Sequence, residues 1–201
     1  ADRLGDEEEV DATILFSDLR GFTSLAEELP ARQLADVLAR HLAAMGEVVL
    51  AHGGNIDKFA GDAVMAVWLA DAGDDHALRA LRCGLAMQER QRELNWESWA
   101  AQLGPLDMGI GVNTGPVILS AVGGEVRKET TVLGDAVNVA QRLQSVAGGG
   151  EVLATASTIQ ACAEAAVEPL GPRLVKGRKE AVDVYRVIAV PYAETSTPDT
   201  P

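Results

Sequence analysis

Cysteine, histidine, aromatic residues and basic charge are all scarce in this chain, and each scarcity narrows what it can do. Cys83 and Cys162 are the only two cysteines among 201 residues. They sit on separate Ala-rich stretches that read as helical, with no metal-ligand spacing, so both are expected as reduced core residues. The three histidines, His41, His52 and His76, are scattered and read as surface or helix-end positions. Lys and Arg total 17 against 30 Asp and Glu, a formal net charge of −13. That balance argues against nucleic acid as a partner, because such affinity rests on cations neutralising phosphates. A small anionic ligand needs only a locally positive pocket. No stretch approaches the roughly 18–20 apolar residues of a spanning helix, and the charged N-terminus has no secretory apolar core. A soluble, cytoplasmic unit without membrane contact is expected. The G-x-x-x-x-G-K-[ST] loop is missing, GIGVNTG lacks the dinucleotide-binding spacing, and no Ser/His/Asp set stands out.

What is present is aliphatic: 47% of the chain is hydrophobic but only 4% aromatic. One globular core suits this length. The opening ADRLGDEEEV is polar and acidic and the closing residues are rich in Thr and Pro, so 1–10 is read as linker, 11–191 as the folded domain and 192–201 as tail. These loose ends suggest a piece of a larger protein.

Short β-rich runs alternate with longer Ala/Leu-rich ones. TILFS reads as a strand, and S-L-A-E at 24–27 as a capping box for the helix after it. Leu34, Val37, Leu38, Leu42, Met45 and Val49 recur at helical spacing over 31–51, with Gly53-Gly54 as the stop. NIDKFA and AVMAVW flank Gly61-Asp62 as a hairpin, and 75–94 forms a second long helix. LDMGIGVNTG and PVILSAVG read as two strands, Thr130 to Leu133 as a short one, Asp135 as the cap of a helix to about Ala147, and EVLATA and VDVYRV as late strands. Strand, helix, hairpin, helix, strand favours an α+β sandwich, a ferredoxin-like βαββαβ core with a C-terminal α/β extension.

Several polar residues stand where chemistry could be placed. Asp18 ends a strand and precedes a Gly-containing turn whose backbone amides open a helix, a corner suited to metal and phosphate. Asp62 sits at the hairpin tip and could complete a two-carboxylate Mg²⁺ site. Lys58 could donate to a ligand acceptor. Asn138 and Arg142, four apart, share one helix face with Gln141 and Ser145, and Lys176 is a cation beside a Gly turn. Each has an ordinary reading too: turn residues for the two aspartates, a snorkelling stem for Lys58, a solvated face for Asn138 and Arg142, surface charge for Lys176.

Taken in order, FSDLRGFTSL, KFAGDAVMAVW, TTVLGDAVNVAQRL and LVKGRKEAVDVYRV resemble the catalytic domain of the class III nucleotidyl cyclases across essentially all of 11–189. The resemblance implies head-to-tail pairing of two copies with composite sites at their interface. In one chain Asp18, Asp62 and the carbonyl of Leu19 would hold two divalent ions, Mg²⁺ or Mn²⁺, and the Gly21, Phe22 and Thr23 turn would meet the terminal phosphates. From the partner copy, Asn138 would orient the ribose, Arg142 would stabilise charge at the α-phosphate and Lys176 would bind the phosphate tail. Base choice would fall on Lys58 and Thr131. Lysine only donates, which suits the N1 acceptor of adenine, whereas guanine presents a donor there. Many adenylyl cyclases of this family have Asp at the position of Thr131. A subgroup resembling this chain has Thr and includes bicarbonate-responsive enzymes. The expectation is therefore an adenylyl cyclase taking ATP, with stimulation by bicarbonate. A guanylyl cyclase, a palm-type transferase such as a diguanylate cyclase, and a non-catalytic nucleotide-binding regulator are the alternatives.

Overall fold

The computed structural model describes residues 8–70, 75–97, 104–124, 127–173 and 181–191. Its first strand, β1 (Glu8–Leu19), begins three residues upstream of the expected Asp11 and is followed by the short helix α1 (Phe22–Glu28) and the long α2 (Ala31–Ala51). The hairpin β2 (Asn55–Ala60) and β3 (Ala63–Leu69) comes next, then α3 (His76–Trp96) and the 17-residue β4 (Met108–Gly124). These strands lie in the order β2-β3-β1-β4, with β1 antiparallel to both neighbours. Each helical crossover is thus split by an intervening antiparallel strand. This is the ferredoxin-like βαββαβ arrangement read from the sequence.

The extension comprises β5 (Arg127–Leu133), α4 (Asp135–Val146), β6 (Val152–Thr155), α5 (Ala156–Gln160), β7 (Ala166–Arg173) and β8 (Val182–Ala189). It continues the same sheet through β6, parallel to β4, then β8 and β7, while β5 pairs with the far half of β4. Among the described residues no helix is long and apolar enough to cross a membrane.

Alternation along β1 gives the sheet two buried faces. Leu15 and Leu19 join Val64, Ala66 and Trp68 under α2 and α3, whereas Ala12 and Ile14 join Met65 and Val67 on the side covered by α4. The α2–α3 face is the larger core and contains Met45, Val49, Leu81, Met87 and Ile110. Burial of each such side chain contributes about 1.5–3 kcal/mol. Trp68 is buried there, and its indole N–H donates to the His52 carbonyl at 3.0 Å. Cys83 and Cys162 are buried free thiols, as expected.

Four local expectations need correction. Ser24 lies inside α1, so S-L-A-E does not cap a following helix; Gly21, in left-handed conformation at φ 75°, starts the helix earlier. LDMGIGVNTG and PVILSAVG are one continuous strand, because Pro116 falls between the β6 ladder, which ends at Val112, and the β5 ladder, which starts at Ile118. There a missing N–H is tolerated on that side of β4. Gly134, not Asp135, is the N-cap of α4, and Asp135 occupies its first turn, where a carboxylate suits the helix dipole. His41 is a core residue, 1% exposed, its Nδ1–H donating to Gln91 Oε1 at 2.9 Å. Burial lowers its pKa. β7 escaped the sequence reading because Pro169 and Pro172 argue against a strand; it lies at the sheet edge, where proline is allowed.

Candidate active site

Asp18 is the penultimate residue of β1 and Asp62 occupies the turn between β2 and β3. Because β3 pairs antiparallel with β1 from Leu69 opposite Ala12 to Val64 opposite Ser17, the hairpin turn must arrive at the end of β1. It does so closely: the Leu19 N–H donates to Asp62 Oδ2 at 3.0 Å across a separation of 43 residues. The two carboxyl groups lie close enough to act on each other. Burial, then the neighbouring Asp62 carboxyl, push the Asp18 carboxyl from its ordinary 3.8 up to about 7, against smaller opposing effects of Arg20 and the Leu19 amide. Without a cation the pair therefore holds a proton near neutrality.

Arg20 ties this strand end to α4. Its Nη2 donates to the carbonyls of Gln144, which also accepts from the Ala147 N–H, and, at 2.7 Å, Ala147, both at the C-terminal end of α4. Between Arg20 and α1, Gly21 adopts a positive φ of 75° that a side chain would resist. Gly21 and Thr23 are exposed and Phe22 packs against the core.

The donor set fits a hard divalent ion. Two carboxyl groups held together, one kept protonated by burial and by its neighbour, are relieved by a shared cation. Among the described residues no group of three or more His, Cys, Asp or Glu could hold a metal unaided. Two carboxylates and a backbone oxygen leave the remaining positions to water and substrate phosphate, the usual pattern for Mg²⁺.

The raised pKa of Asp18 also predicts a pH dependence. The folded state keeps a proton that the unfolded chain releases near 3.8, so metal-free stability should fall as pH rises from about 4 to about 7 and level off above. Asp18→Asn, which removes the charge but not the shape, should raise the melting temperature in chelator at pH 8. After discounting for partial solvent access, about 1 kcal/mol or a few degrees is expected. At pH 4 the gain should vanish. Thermal denaturation at both pH values checks this, and a lower melting temperature for the variant at pH 8 would contradict it.

A second cluster forms where β5 meets β2. Thr131 Oγ1 donates to Asp57 Oδ2 at 2.9 Å, and Lys58 Nζ lies 3.2 Å from the same oxygen. Beside them a cavity of about 270 Å³ is lined by Asn55, Ile56, Val67, Leu69, Leu119 and Val132. Lys58 and Thr131, 73 positions apart in sequence, are thus brought together through Asp57. The sequence reading missed Asp57. The only signal was its place next to Lys58, which regular strand alternation would have turned to the other face.

On α4, Ala136, Val139, Ala140 and Leu143 are buried against the sheet, while Asn138 and Gln141 are exposed and Arg142 is half-buried. The polar face is therefore presented outward, with the Arg142 carbonyl accepting from Ser145 Oγ at 2.7 Å. Lys176 lies outside the described residues.

The family model described as "Adenylate and Guanylate cyclase catalytic domain" matches residues 5–189. The chain belongs to this cyclase family. Adenylate cyclase 1 of Rhizobium meliloti is 35% identical over 191 residues, which cover 93% of this chain and 29% of that protein. This chain therefore spans under a third of that relative's length. Among solved structures, the adenylyl cyclase CyaB of P. aeruginosa is 34% identical with a TM-score of 0.88, covering 93% of this chain and 98% of that one. The guanylyl cyclase Cya2 is 37% identical with a TM-score of 0.87, covering 95% and 98%. Family membership and the class III cyclase fold follow from these likenesses. The choice of base does not, since the two structures carry different substrate names.

Proposed function

We propose that this cyclase domain converts ATP to 3′,5′-cyclic AMP and pyrophosphate at sites shared by two copies of the chain, in intracellular signalling. The observation that carries the reading is the convergence of Asp18 and Asp62 beside Leu19 at the end of β1. Two divalent ions held there, by Asp18, Asp62 and the Leu19 carbonyl, would supply Lewis-acid activation of the ribose 3′-hydroxyl and neutralise phosphoryl oxygens. The chain's own residues bind and orient. Amides of the Gly21–Thr23 turn take the terminal phosphates. From the partner copy, the outward face of α4 supplies Asn138 to the ribose and Arg142 to the charge developing at the α-phosphate, and Lys176 meets the phosphate tail. Positioning and charge stabilisation suffice for in-line displacement, so no covalent nucleophile is required.

The cavity at Lys58 and Thr131 would receive the base. A lysine N–H faces the adenine N1 acceptor favourably and the guanine N1–H unfavourably, which favours ATP over the guanylyl alternative that the likeness to Cya2 raises. Bicarbonate stimulation belongs to the same proposal and rests on the resemblance of the Thr131 subgroup alone.

The test is to incubate purified protein with ATP or GTP, with Mg²⁺ or Mn²⁺, with and without bicarbonate, and to separate the products. Cyclic AMP from ATP is expected. Cyclic GMP as the main product would replace the adenylyl reading by the guanylyl one, and no cyclic nucleotide under any condition would leave a nucleotide-binding regulator.

A further inference from the structure

Lys58 and Thr131 do not by themselves define a purine: a threonine hydroxyl can donate or accept, and so fits either the 6-amino group of adenine or the 6-oxo group of guanine and hypoxanthine. The residue that removes this ambiguity is Asp57.

Its placement depends on a backbone irregularity. Ile56 pairs with Ala66 and Lys58 with Met65, two residues on β2 spanning one on β3, so Asp57 is the extra residue of a bulge. Bulges re-aim side chains and break the usual alternation of faces. Asp57 and Lys58, though consecutive, consequently reach the same point. The Asp57 side chain is 5% exposed and that of Lys58 53% exposed, so the carboxylate is the buried partner of the pair and lines the cavity, while the ammonium is the exposed one beside it.

A carboxylate paired with an ammonium only accepts, and a hydroxyl has one proton. Thr131 gives that proton to Asp57 Oδ2 at 2.9 Å. What Thr131 then offers a ligand is lone pairs alone. Thr131 lines the cavity and Lys58 stands beside it, 3.2 Å from the same oxygen, so a base reaching both would meet one acceptor and one donor. This matches the adenine edge, N1 acceptor and 6-amino donor, and opposes the 6-oxopurine edge at both positions. If the Asp57 carboxylate is lost, the Thr131 hydroxyl can turn and donate to a 6-oxo group.

We infer that Asp57 is a specificity-determining positioning residue: by taking the Thr131 proton it fixes that hydroxyl as an acceptor and makes the base cavity selective for 6-aminopurine nucleotides. This rests on the adenylyl reading for the nature of the substrate and adds the residue that enforces it.

The experiment compares ATP with ITP, which differs at the 6-position and N1 but lacks the 2-amino group of GTP. Turnover (kcat and KM) and calorimetric Kd are measured for the wild type, Asp57→Leu, Thr131→Val and the double variant. Asp57→Leu, which removes the acceptor, should lower the ATP-over-ITP ratio about tenfold, the worth of one hydrogen bond. The change should fall mainly on KM and Kd, with affinity for ITP rising as that for ATP falls. Because Asp57 acts through Thr131, the double variant should show no smaller ratio than Thr131→Val alone. An unchanged ratio in Asp57→Leu, or equal losses on both nucleotides as a purely structural role would give, overturns the inference. Binding separates this from the function proposed above. A wild type that binds ATP over ITP without forming cyclic AMP would sink the cyclase reading while the Kd ratio still judges Asp57; a wild type that binds both alike overturns the inference directly.

Discussion

Asp18→Ala is expected to lower cyclic AMP formation by at least about a thousandfold in kcat/KM, and Asp62→Ala by a similar factor, because each removes a carboxylate from the site proposed to hold the divalent ions. Neither loss should come from unfolding. Asp18 is a carboxyl whose ionised form is disfavoured by burial and by Asp62, so its removal relieves a strain at neutral pH. The expected signature is therefore an inactive chain whose melting temperature in chelator at pH 8 is unchanged or higher. Steady-state assays paired with thermal denaturation check it. Asp62 differs in one respect: its Oδ2 also accepts from the Leu19 amide at 3.0 Å. Asp62→Ala leaves that N–H without its carboxylate acceptor and should cost about 1 kcal/mol of stability as well as activity. Residual activity within tenfold of wild type in Asp18→Ala would remove this residue from the chemistry.

Gly111→Ala should be the most damaging substitution for the fold. Gly111 lies on β4 where α4 crosses it, and a Cβ built there would fall onto the Gln144 amide nitrogen and the Ala140 carbonyl oxygen and lie 2.8 Å from the Leu143 Cβ. The first two are backbone atoms and cannot turn aside, so the whole helix must lift. A loss of about 3 kcal/mol is expected, at the upper end for overpacking, with a drop of roughly 6–12 °C in melting temperature. Activity should fall further than stability, since α4 carries Asn138 and Arg142 and is tied by Arg20 to the strand end that carries Asp18. Chemical denaturation and assays below the melting transition separate the two losses. A variant as stable as wild type would show that the helix does not sit this close to the strand. The GIGVNTG stretch thus has glycine for helix-to-sheet approach, which explains why a nucleotide-loop spacing is lacking.

The order of elements could be read from the sequence because it rests on periodicity: the stripe from Val37 through Met45 to Val49 and the Gly-Asp turn between two apolar runs are local signals. Even the burial of His41 was within reach, since it stands four residues from both Val37 and Met45 on that stripe. The site was less accessible. Nothing in the spacing of Asp18 and Asp62 states that they meet; that follows only from the β1–β3 register. Asp57 was hidden by a bulge, which no composition signal marks and which reverses the face that alternation predicts. β7 was hidden by prolines that only an edge position permits, and β4 looked like two strands because Pro116 interrupts the pattern but not the pairing with β1.

The outward-facing polar side of α4 and the two carboxylates at the end of β1 are held by one chain, and the central claim is that each works with the other half on a second copy. Mixing Asp18→Ala with Arg142→Ala chains tests it most directly. Each variant alone should be inactive. After exchange of subunits, random pairing makes half of the dimers mixed, each with one intact site of two, so about a quarter of wild-type activity should return. Recovery near that level supports shared sites; no recovery, with mixed dimers demonstrated by differently tagged chains, would contradict them.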